Sequence, residues 1–230
     1  MGLLEDLKNK INSYAIEPYT IEDTTIVPDT DNPKLTFGNK GLTCEYTFLF
    51  VDIRKSSKLH DLYGFQKAAK IYQSFHEINV RVIQSNGGEV RAFDGDRTMA
   101  VFVGNGKNTS AAKTALQIKW AIGNILNPSL GTNIVCGSGI DTGKILVTKV
   151  GKGRDKNTND LVWIGQADNY ASHLANEANS STIISTNTYN LLHESSKLSE
   201  GVNMWKPKQL KLKTGTMVAC YESTYWWALT

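Results

Sequence analysis

The order of strand and helix patterns between residues 44 and 150 constrains the fold more than any other feature of this sequence. Continuous apolar runs indicate buried strands, and apolar residues at helical spacing indicate amphipathic helices. The predicted elements are a strand at 44–51, a helix at 62–84, strands at 89–93 and 97–103, a helix that Asn108 caps and Asn127-Pro128 ends, and strands at 134–141 and 144–150. Asp94-Gly95 and Thr142-Gly143 are the predicted hairpin turns.

The first six of these elements follow the ferredoxin-like βαββαβ order, so the expected fold class is α+β. In that topology the first and third strands are central neighbours. An amphipathic helix at 1–12 and a polar, proline-containing linker at 15–42 precede this core. The C-terminal extension is predicted to contain strands at 161–164, 182–185, 208–213 and 217–223 and helices at 166–178 and 186–194. Two regions are therefore expected, 1–43 and 44–230.

Composition limits the classes of partner and the compartment. A net charge of +3 over 230 residues gives no reason to expect binding to nucleic acid or to an anionic membrane. No apolar run approaches the roughly 20 residues that cross a bilayer, so no membrane insertion is expected. The N-terminal helix mixes acidic and basic residues, unlike a signal peptide. Three widely spaced cysteines indicate reduced thiols and a cytoplasmic protein.

Two acidic turns stand where strands meet the rim of the predicted sheet. Asp52 ends the apolar run Phe50-Val51, and Asp96 opens the strand that follows Asp94-Gly95. Because the topology makes these strands neighbours, the two carboxylates are expected side by side, where they can hold hard divalent cations and, through them, phosphates. As residues of the rim, both are expected to contribute little to packing. Asp52 could simply cap the end of a strand, and Asp96 could simply belong to a hairpin turn. These roles would explain each carboxylate alone, but not why the two are predicted to be adjacent.

Other chemical motifs fail on spacing. The stretch around Gly143-Lys144 lacks the glycine and the Ser/Thr of a phosphate-binding P-loop. The acidic run at 29–32 lacks the glutamate of a calcium loop, since the twelfth position is Lys40. The four histidines show no metal-ligand spacing.

Four blocks of residues in order resemble the catalytic domain of class III nucleotide cyclases. The blocks are Phe50-Val51-Asp52-Ile53 with Ser56-Ser57, Gly95-Asp96 with Met99-Ala100-Val101-Phe102, Gly139-Ile140-Asp141-Thr142-Gly143, and Gly165 with Asn169 and Ala171-Ser172. The resemblance covers about 44–222, so 44–230 is expected to be the catalytic domain. It implies an attack of the ribose 3′-hydroxyl on the α-phosphate of a nucleoside triphosphate, with loss of pyrophosphate.

The resemblance also implies roles for individual residues. Asp52, Asp96 and the carbonyl of Ile53 would hold two Mn²⁺ or Mg²⁺ ions. The turn that contains Ser56 and Ser57 would offer backbone N–H groups to the β- and γ-phosphates. Asn169 would orient the ribose from the opposing subunit of a homodimer, with two equivalent sites at the interface.

Departures from the family pattern concern the transition state and a phosphate-binding lysine. His173 stands where the family usually has an arginine that stabilises the transition state; its imidazole is expected to do part of that work, and Arg97 or Arg54 is expected to supply the missing guanidinium. The phosphate-binding lysine falls at Lys211 or Lys213, of which Lys213 is preferred.

The base-reading positions depart most from those of purine cyclases. One of them is the apolar Val162, and the other falls near Arg91. Together with Phe93-Asp94-Gly95-Asp96-Arg97, they resemble the pyrimidine cyclases of the Pycsar phage-defence system, which make cyclic UMP or cyclic CMP for a separate effector protein. The expected function is thus a pyrimidine nucleotide cyclase in antiviral defence. A divergent adenylate cyclase and an inactive, nucleotide-binding regulatory domain remain alternatives.

Overall fold

The computed structural model describes residues 2–151, 158–211 and 215–229 and has the predicted mixture of helices and strands. The helices are α1 (Leu3–Ile16), α2 (Leu59–Ser85), α3 (Lys107–Ala121), α4 (Asn127–Leu130), α5 (Ala167–Glu177), α6 (Thr186–Asn190) and α7 (Glu194–Lys197). The strands are β1 (Thr20–Asp23), β2 (Lys40–Ile53), β3 (Glu89–Asp94), β4 (Arg97–Phe102), β5 (Cys136–Val150), β6 (Asp160–Ile164), β7 (Thr182–Ser185), β8 (Leu198–Ser199), β9 (Val202–Asn203), β10 (Lys206–Lys211) and β11 (Met217–Ser223). None of the described helices is long and apolar enough to cross a membrane.

The chain divides into two compact units, to both of which β2 and β5 contribute residues. The first contains 1–44 and 144–165, and the second contains 45–143 and 166–230. In the first unit, β1 pairs in parallel with the start of β2, and β6 pairs antiparallel with the end of β5. The division into an N-terminal region, 1–43, and a catalytic domain, 44–230, stays a prediction.

The second unit is built on a sheet with the order β10-β11-β7-β5-β2-β4-β3. The first and third strands of the predicted core, β2 and β4, are antiparallel neighbours, as expected. One face of the sheet buries a core that includes Val51, Phe75, Phe102 and Leu116, contributed by both strands and by α2 and α3. This packing holds the end of β2 and the start of β4 at one edge.

Two glycines of β5 let α5 pack directly on the sheet. A Cβ at Gly139 would lie 2.1 Å from the carbonyl oxygen of Ala171, and one at Gly137 would lie 2.2 Å from that of Ala178. Both contacts are with backbone atoms, which a side chain cannot displace cheaply. The two glycines therefore set how closely α5 approaches the sheet.

The predicted hairpin at Thr142-Gly143 is wrong, because β5 is one strand of 15 residues. Gly143 does not have the positive φ that a tight hairpin turn requires. The Thr142 hydroxyl is buried in a polar network with Thr47 at 3.0 Å and Thr188 at 3.0 Å. These bonds give the buried hydroxyl partners within a continuous strand.

The predicted cap of the second helix is also wrong. α3 begins at Lys107 after Gly106, which has φ 80°, and Asn108 lies inside the helix. Asn108 is buried, and its Oδ1 accepts a hydrogen bond from the Thr47 hydroxyl at 2.9 Å. Nor does Asn127-Pro128 end the helical segment, since a π-helical turn at Ile122–Leu126 leads into α4.

Candidate active site

Asp52 and Asp96 meet at one edge of the sheet, as the topology predicted. Asp52 pairs with Arg97 in the register of β2 and β4, and the Ile53 N–H donates to the Asp96 carbonyl at 3.3 Å. Gly95, which has φ 59°, forms the turn between β3 and β4 and places Asp96 beside Asp52. Asp52 is not a rim residue with little packing, because only 7% of its surface is exposed.

The two carboxyl groups influence each other's protonation. Burial raises the pKa of Asp52, and a hydrogen bond with Asp96 raises it further. Burial also acts to raise the pKa of Asp96, but hydrogen bonds with Ser56 and Asp52 lower it below the ordinary value. The pair therefore holds a proton on Asp52 more readily than on Asp96. Burial and both carboxylates also raise the pKa of the neighbouring Tyr72.

Two arginines contact the same oxygen of Asp52. Arg54 Nη2 lies 2.5 Å from Asp52 Oδ2, and Arg97 Nη2 lies 3.1 Å from it. Arg97 also donates to the Ser172 hydroxyl at 2.8 Å and to the side chain of Asn176. Arg54 donates to the Asn176 carbonyl at 3.0 Å. Helix α5 thus holds both guanidinium groups beside the acidic pair.

The chain between β2 and α2 forms a turn that can bind an anion. Lys55 has a left-handed backbone with φ 58°, and a 3₁₀ helix at Ser56–Lys58 leads directly into α2. The first residues of a helix present backbone N–H groups without intrahelical acceptors, and these groups attract phosphate. The Ser56 side chain bonds Asp96, whereas Ser57 is exposed. The arrangement fits the predicted phosphate-binding role of this turn.

The structure describes all the other predicted site residues except Lys213. Asn169 lies in the first turn of α5 and His173 in the second, on the same helix face as Ser172 and Asn176. Arg91 lies at a bulge in β3, with its guanidinium 3.6 Å from Glu89. Val162 lies on β6 in the first unit and is 41% exposed. Lys213 lies outside the described residues, and Lys211 is the exposed last residue of β10.

Sequence reasoning missed Ser172, Asn176 and His76 as residues of the site. Ser172 and Asn176 are four residues apart and follow Asn169 by three and seven, a spacing that indicates one helix face. His76 contacts the turn that carries Asp96. Its position one residue after the core residue Phe75 gave no sign of this contact.

The donor set at the edge suits hard divalent cations. Asp52 and Asp96 supply carboxylate oxygens, and the Ile53 carbonyl is adjacent. The described residues contain no cluster of three or more acidic, histidine or cysteine side chains that could hold a metal. A metal ion held by this pair would therefore complete its coordination with carbonyl, water or phosphate oxygens, as Mg²⁺ commonly does.

Comparison with known proteins identifies full-length relatives. No protein-family model matches the chain. A uridylate cyclase of Burkholderia cepacia is 35% identical over 235 residues, and one of Xanthomonas perforans is 34% identical over 236 residues. Each alignment covers 100% of this chain and 100% of the relative.

Solved structures of class III cyclases share the fold. The adenylyl cyclase CyaB from P. aeruginosa aligns with a TM-score of 0.68 and 21% identity, over 80% of this chain and 95% of that one. The guanylate cyclase domain of RhGC from Catenaria anguillulae, in complex with GTP, aligns with a TM-score of 0.67 and 18% identity, over 80% and 97%. At these identities the likeness concerns the fold alone.

Proposed function

Because the chain belongs to the family of class III nucleotide cyclases that includes these uridylate cyclases, we propose that it converts UTP or CTP to the 3′,5′-cyclic monophosphate. As a member of that family it is a nucleotidyl cyclase. The observation that most supports the proposal is that the Asp52 and Asp96 side chains are hydrogen-bonded to each other beside the Arg97 guanidinium. An acidic pair for metal ions and an arginine for phosphate charge are the groups that phosphoryl transfer needs.

The proposed reaction is an intramolecular displacement at the α-phosphate. The ribose 3′-oxygen forms a bond to that phosphorus, the bond to the bridging oxygen breaks, and pyrophosphate leaves with the electron pair. The proton of the 3′-hydroxyl passes to solvent or to a basic group at the site. Divalent cations, when bound by Asp52, Asp96 and the Ile53 carbonyl, would lower the pKa of that hydroxyl and neutralise phosphate charge.

The chain's own groups are proposed to hold the triphosphate and stabilise the developing charge. Backbone N–H groups near Ser56 and Ser57 bind the terminal phosphates, with Lys213 as a further cation. Arg97, and with it Arg54, donates to non-bridging oxygens as charge develops in the transition state. This role explains why His173 can stand where an arginine is usual. His173 then does part of the work of that arginine, by donating an imidazole N–H to a phosphate oxygen.

We propose that the active unit is a homodimer in which Asn169 of one subunit orients the ribose bound by the other. Asn169 is an exposed residue of α5, and Ser172 and Asn176 of the same helix contact Arg97 within the chain. One helix could then serve the site of its own subunit and that of its partner. An interface-built site would require both subunits for turnover.

The proposed base rests on the relatives, and the proposed biological role rests on the sequence resemblance to the pyrimidine cyclases of the Pycsar system. Both relatives are named for uridylate, so UTP is the first substrate to test, and Arg91 and Val162 remain proposed base-reading residues. The product is proposed to be a second messenger that a separate effector protein detects during antiviral defence. Three cysteines, all free thiols, fit a cytoplasmic enzyme.

Incubation with each of the four nucleoside triphosphates and Mn²⁺, with products identified by mass, tests the proposal. We expect cyclic UMP or cyclic CMP from the wild type and none from Asp52→Asn. Asp94→Asn is the matched control, since Asp94 is an exposed carboxylate of the same turn. An adenylate cyclase would yield cyclic AMP instead. An inactive nucleotide-binding domain would yield no cyclic product from any of the four.

A further inference from the structure

His76 joins helix α2 to both sides of the turn that carries Asp96. Its Nε2 lies 2.9 Å from the Gly95 carbonyl oxygen, and its Nδ1 lies 2.9 Å from the Thr98 hydroxyl. Gly95 immediately precedes Asp96, and Thr98 follows it by two residues. One side chain therefore bonds the β3–β4 turn on each side of the acidic residue.

The hydrogen-bond partners determine which imidazole nitrogen carries the proton. A carbonyl oxygen only accepts, so Nε2 must be the N–H that donates to Gly95. Asn79 Nδ2 donates to the Thr98 hydroxyl at 2.9 Å, and with the ring proton on Nε2 that hydroxyl donates in turn to His76 Nδ1. In this arrangement the bonds run in one direction, from Asn79 through Thr98 and His76 to Gly95, and the Asn79 Oδ1 at its start is buried without a hydrogen-bond partner among the described residues.

The surroundings of this chain of bonds hold it in place. Asn79 and Thr98 are both 0% exposed, and Asn79 lies on α2 one turn after His76. The Phe93 ring packs edge-on against the imidazole, with ring centroids 4.9 Å apart. Phe75, the residue before His76, belongs to the hydrophobic core. The imidazole is thus anchored on a long helix that packs against the sheet.

The contact with Gly95 bears on the direction of the Asp96 side chain. The Gly95 carbonyl belongs to the peptide plane that joins Gly95 to Asp96, so fixing the carbonyl fixes that plane. Gly95, at φ 59°, has the backbone freedom of a glycine and cannot hold the plane by itself. Rotation of the plane would turn Asp96 away from Asp52.

We propose that His76 is a positioning residue of the metal site, whose Nε2–H bond to Gly95 holds the Asp96 carboxylate towards Asp52; this rests on the proposed metal-dependent function. The imidazole itself is proposed neither as a metal ligand nor as a substrate contact, since its two nitrogens bond Thr98 and Gly95. Its effect is to keep beside each other the two carboxylates that would hold the divalent cations. The affinity for metal, rather than the binding of nucleotide, is the quantity that depends on it.

Equilibrium Mn²⁺ binding without nucleotide tests the proposal with a matched pair of variants. His76→Gln places an amide N–H where Nε2 stood and can still donate to Gly95, whereas His76→Asn reaches only as far as Thr98. We expect His76→Asn to weaken Mn²⁺ binding about fivefold to tenfold, the range expected for one lost hydrogen bond. His76→Gln should stay within about twofold of the wild type. His60→Gln, an exposed histidine of the same helix, is the control.

Equal Mn²⁺ affinity in His76→Asn and the wild type, or equal weakening by Asn and Gln, would overturn the inference. A wild type that binds Mn²⁺ but cyclises no nucleotide would refute the proposed function and leave the His76 variants decisive. A wild type that binds no Mn²⁺ would refute both. Should His76→Asn fail to fold, the ¹⁵N spectrum of the wild-type imidazole decides. A proton on Nε2 is expected, and a neutral ring with its proton on Nδ1 would contradict the assigned bonds.

Discussion

Arg97 Nη2 lies 3.1 Å from Asp52 Oδ2, and the two residues are direct partners in the pairing of β2 with β4. The neighbouring residue, Asp96, is the second carboxylate of the acidic pair. A guanidinium group is therefore built into the edge that carries both carboxylates. This position gives the site a cation although His173 occupies the place where the family resemblance expects an arginine.

Removal of either carboxylate should abolish turnover. Asp52→Asn and Asp96→Asn each delete a charged metal ligand, and we expect at least a hundredfold loss of kcat, or about 2.7 kcal/mol. Asp94→Asn should keep wild-type kcat. Turnover is measured with UTP and CTP over a range of Mn²⁺ concentrations. A tenth or more of wild-type activity in both Asp52→Asn and Asp96→Asn would contradict the two-metal proposal.

Asp52→Ala should also destabilise the fold, unlike Asp96→Ala. Asp52 is buried and bonded by Arg54 and Arg97, so its removal leaves two poorly hydrated guanidinium groups without their carboxylate. We expect a loss of about 3 kcal/mol in the free energy of unfolding, and less for Asp52→Asn, which keeps an acceptor oxygen. Urea unfolding measures this. An unchanged midpoint for Asp52→Ala would show that the pairing adds no stability.

Arg97→Ala should act on catalysis more than on nucleotide binding. If the guanidinium stabilises negative charge that develops on the phosphate in the transition state, kcat of the variant should fall about a hundredfold, whereas its KM should change little. Arg97→Lys should recover only part of the loss, because an ammonium cannot reach the phosphate and Ser172 together. Arg81→Ala, an exposed arginine of α2 paired with Glu77, is the control. A raised KM with unchanged kcat would assign Arg97 to ground-state binding instead.

The dimer proposal predicts complementation between two inactive variants. Asp52→Asn removes a metal ligand, and Asn169→Ala removes the ribose contact proposed to come from the other subunit. Random exchange makes half of the dimers mixed, and each mixed dimer has one intact site of two. Activity of about a quarter of the wild-type level should return. Absence of recovery, with subunit exchange verified by native mass spectrometry, would place both residues in the same subunit's site.

Asp141 should make the fold less stable as pH rises. Burial raises the pKa of this carboxyl to about 6, although hydrogen bonds with Ser185 and the Thr142 N–H oppose the shift. The folded state then binds the proton more tightly than the unfolded state does. The contribution of Asp141 to the free energy of unfolding is therefore complete below about pH 4 and is lost as the pH rises to about 6. The loss should be about 3 kcal/mol and should be absent in Asp141→Asn. Urea unfolding of both proteins at pH 4, 6 and 8 measures it, and parallel pH curves would contradict it.

The adjacency of Asp52 and Asp96 was predictable because strand periodicity and the βαββαβ order are encoded locally along the chain. The bonds of Arg54 and Arg97 to α5 were not, since they depend on how closely α5 approaches β5. That approach is permitted by Gly139, whose role needs the three-dimensional contact with Ala171 to be recognised. Asn108 and Thr142 were wrongly predicted to lie in a cap and a turn. Their local sequence favours those structures, but the buried network that they share with Thr47 and Thr188 prevails.

Competition among UTP, CTP, ATP and GTP at equal concentrations in one reaction tests the central claim most directly. Product ratios then give the ratios of kcat/KM without separate kinetics. The proposed pyrimidine cyclase should form cyclic UMP or cyclic CMP at least about tenfold faster than either purine product, or about 1.4 kcal/mol in transition-state binding. Cyclic AMP as the main product, with no cyclic pyrimidine nucleotide detected, would contradict the claim.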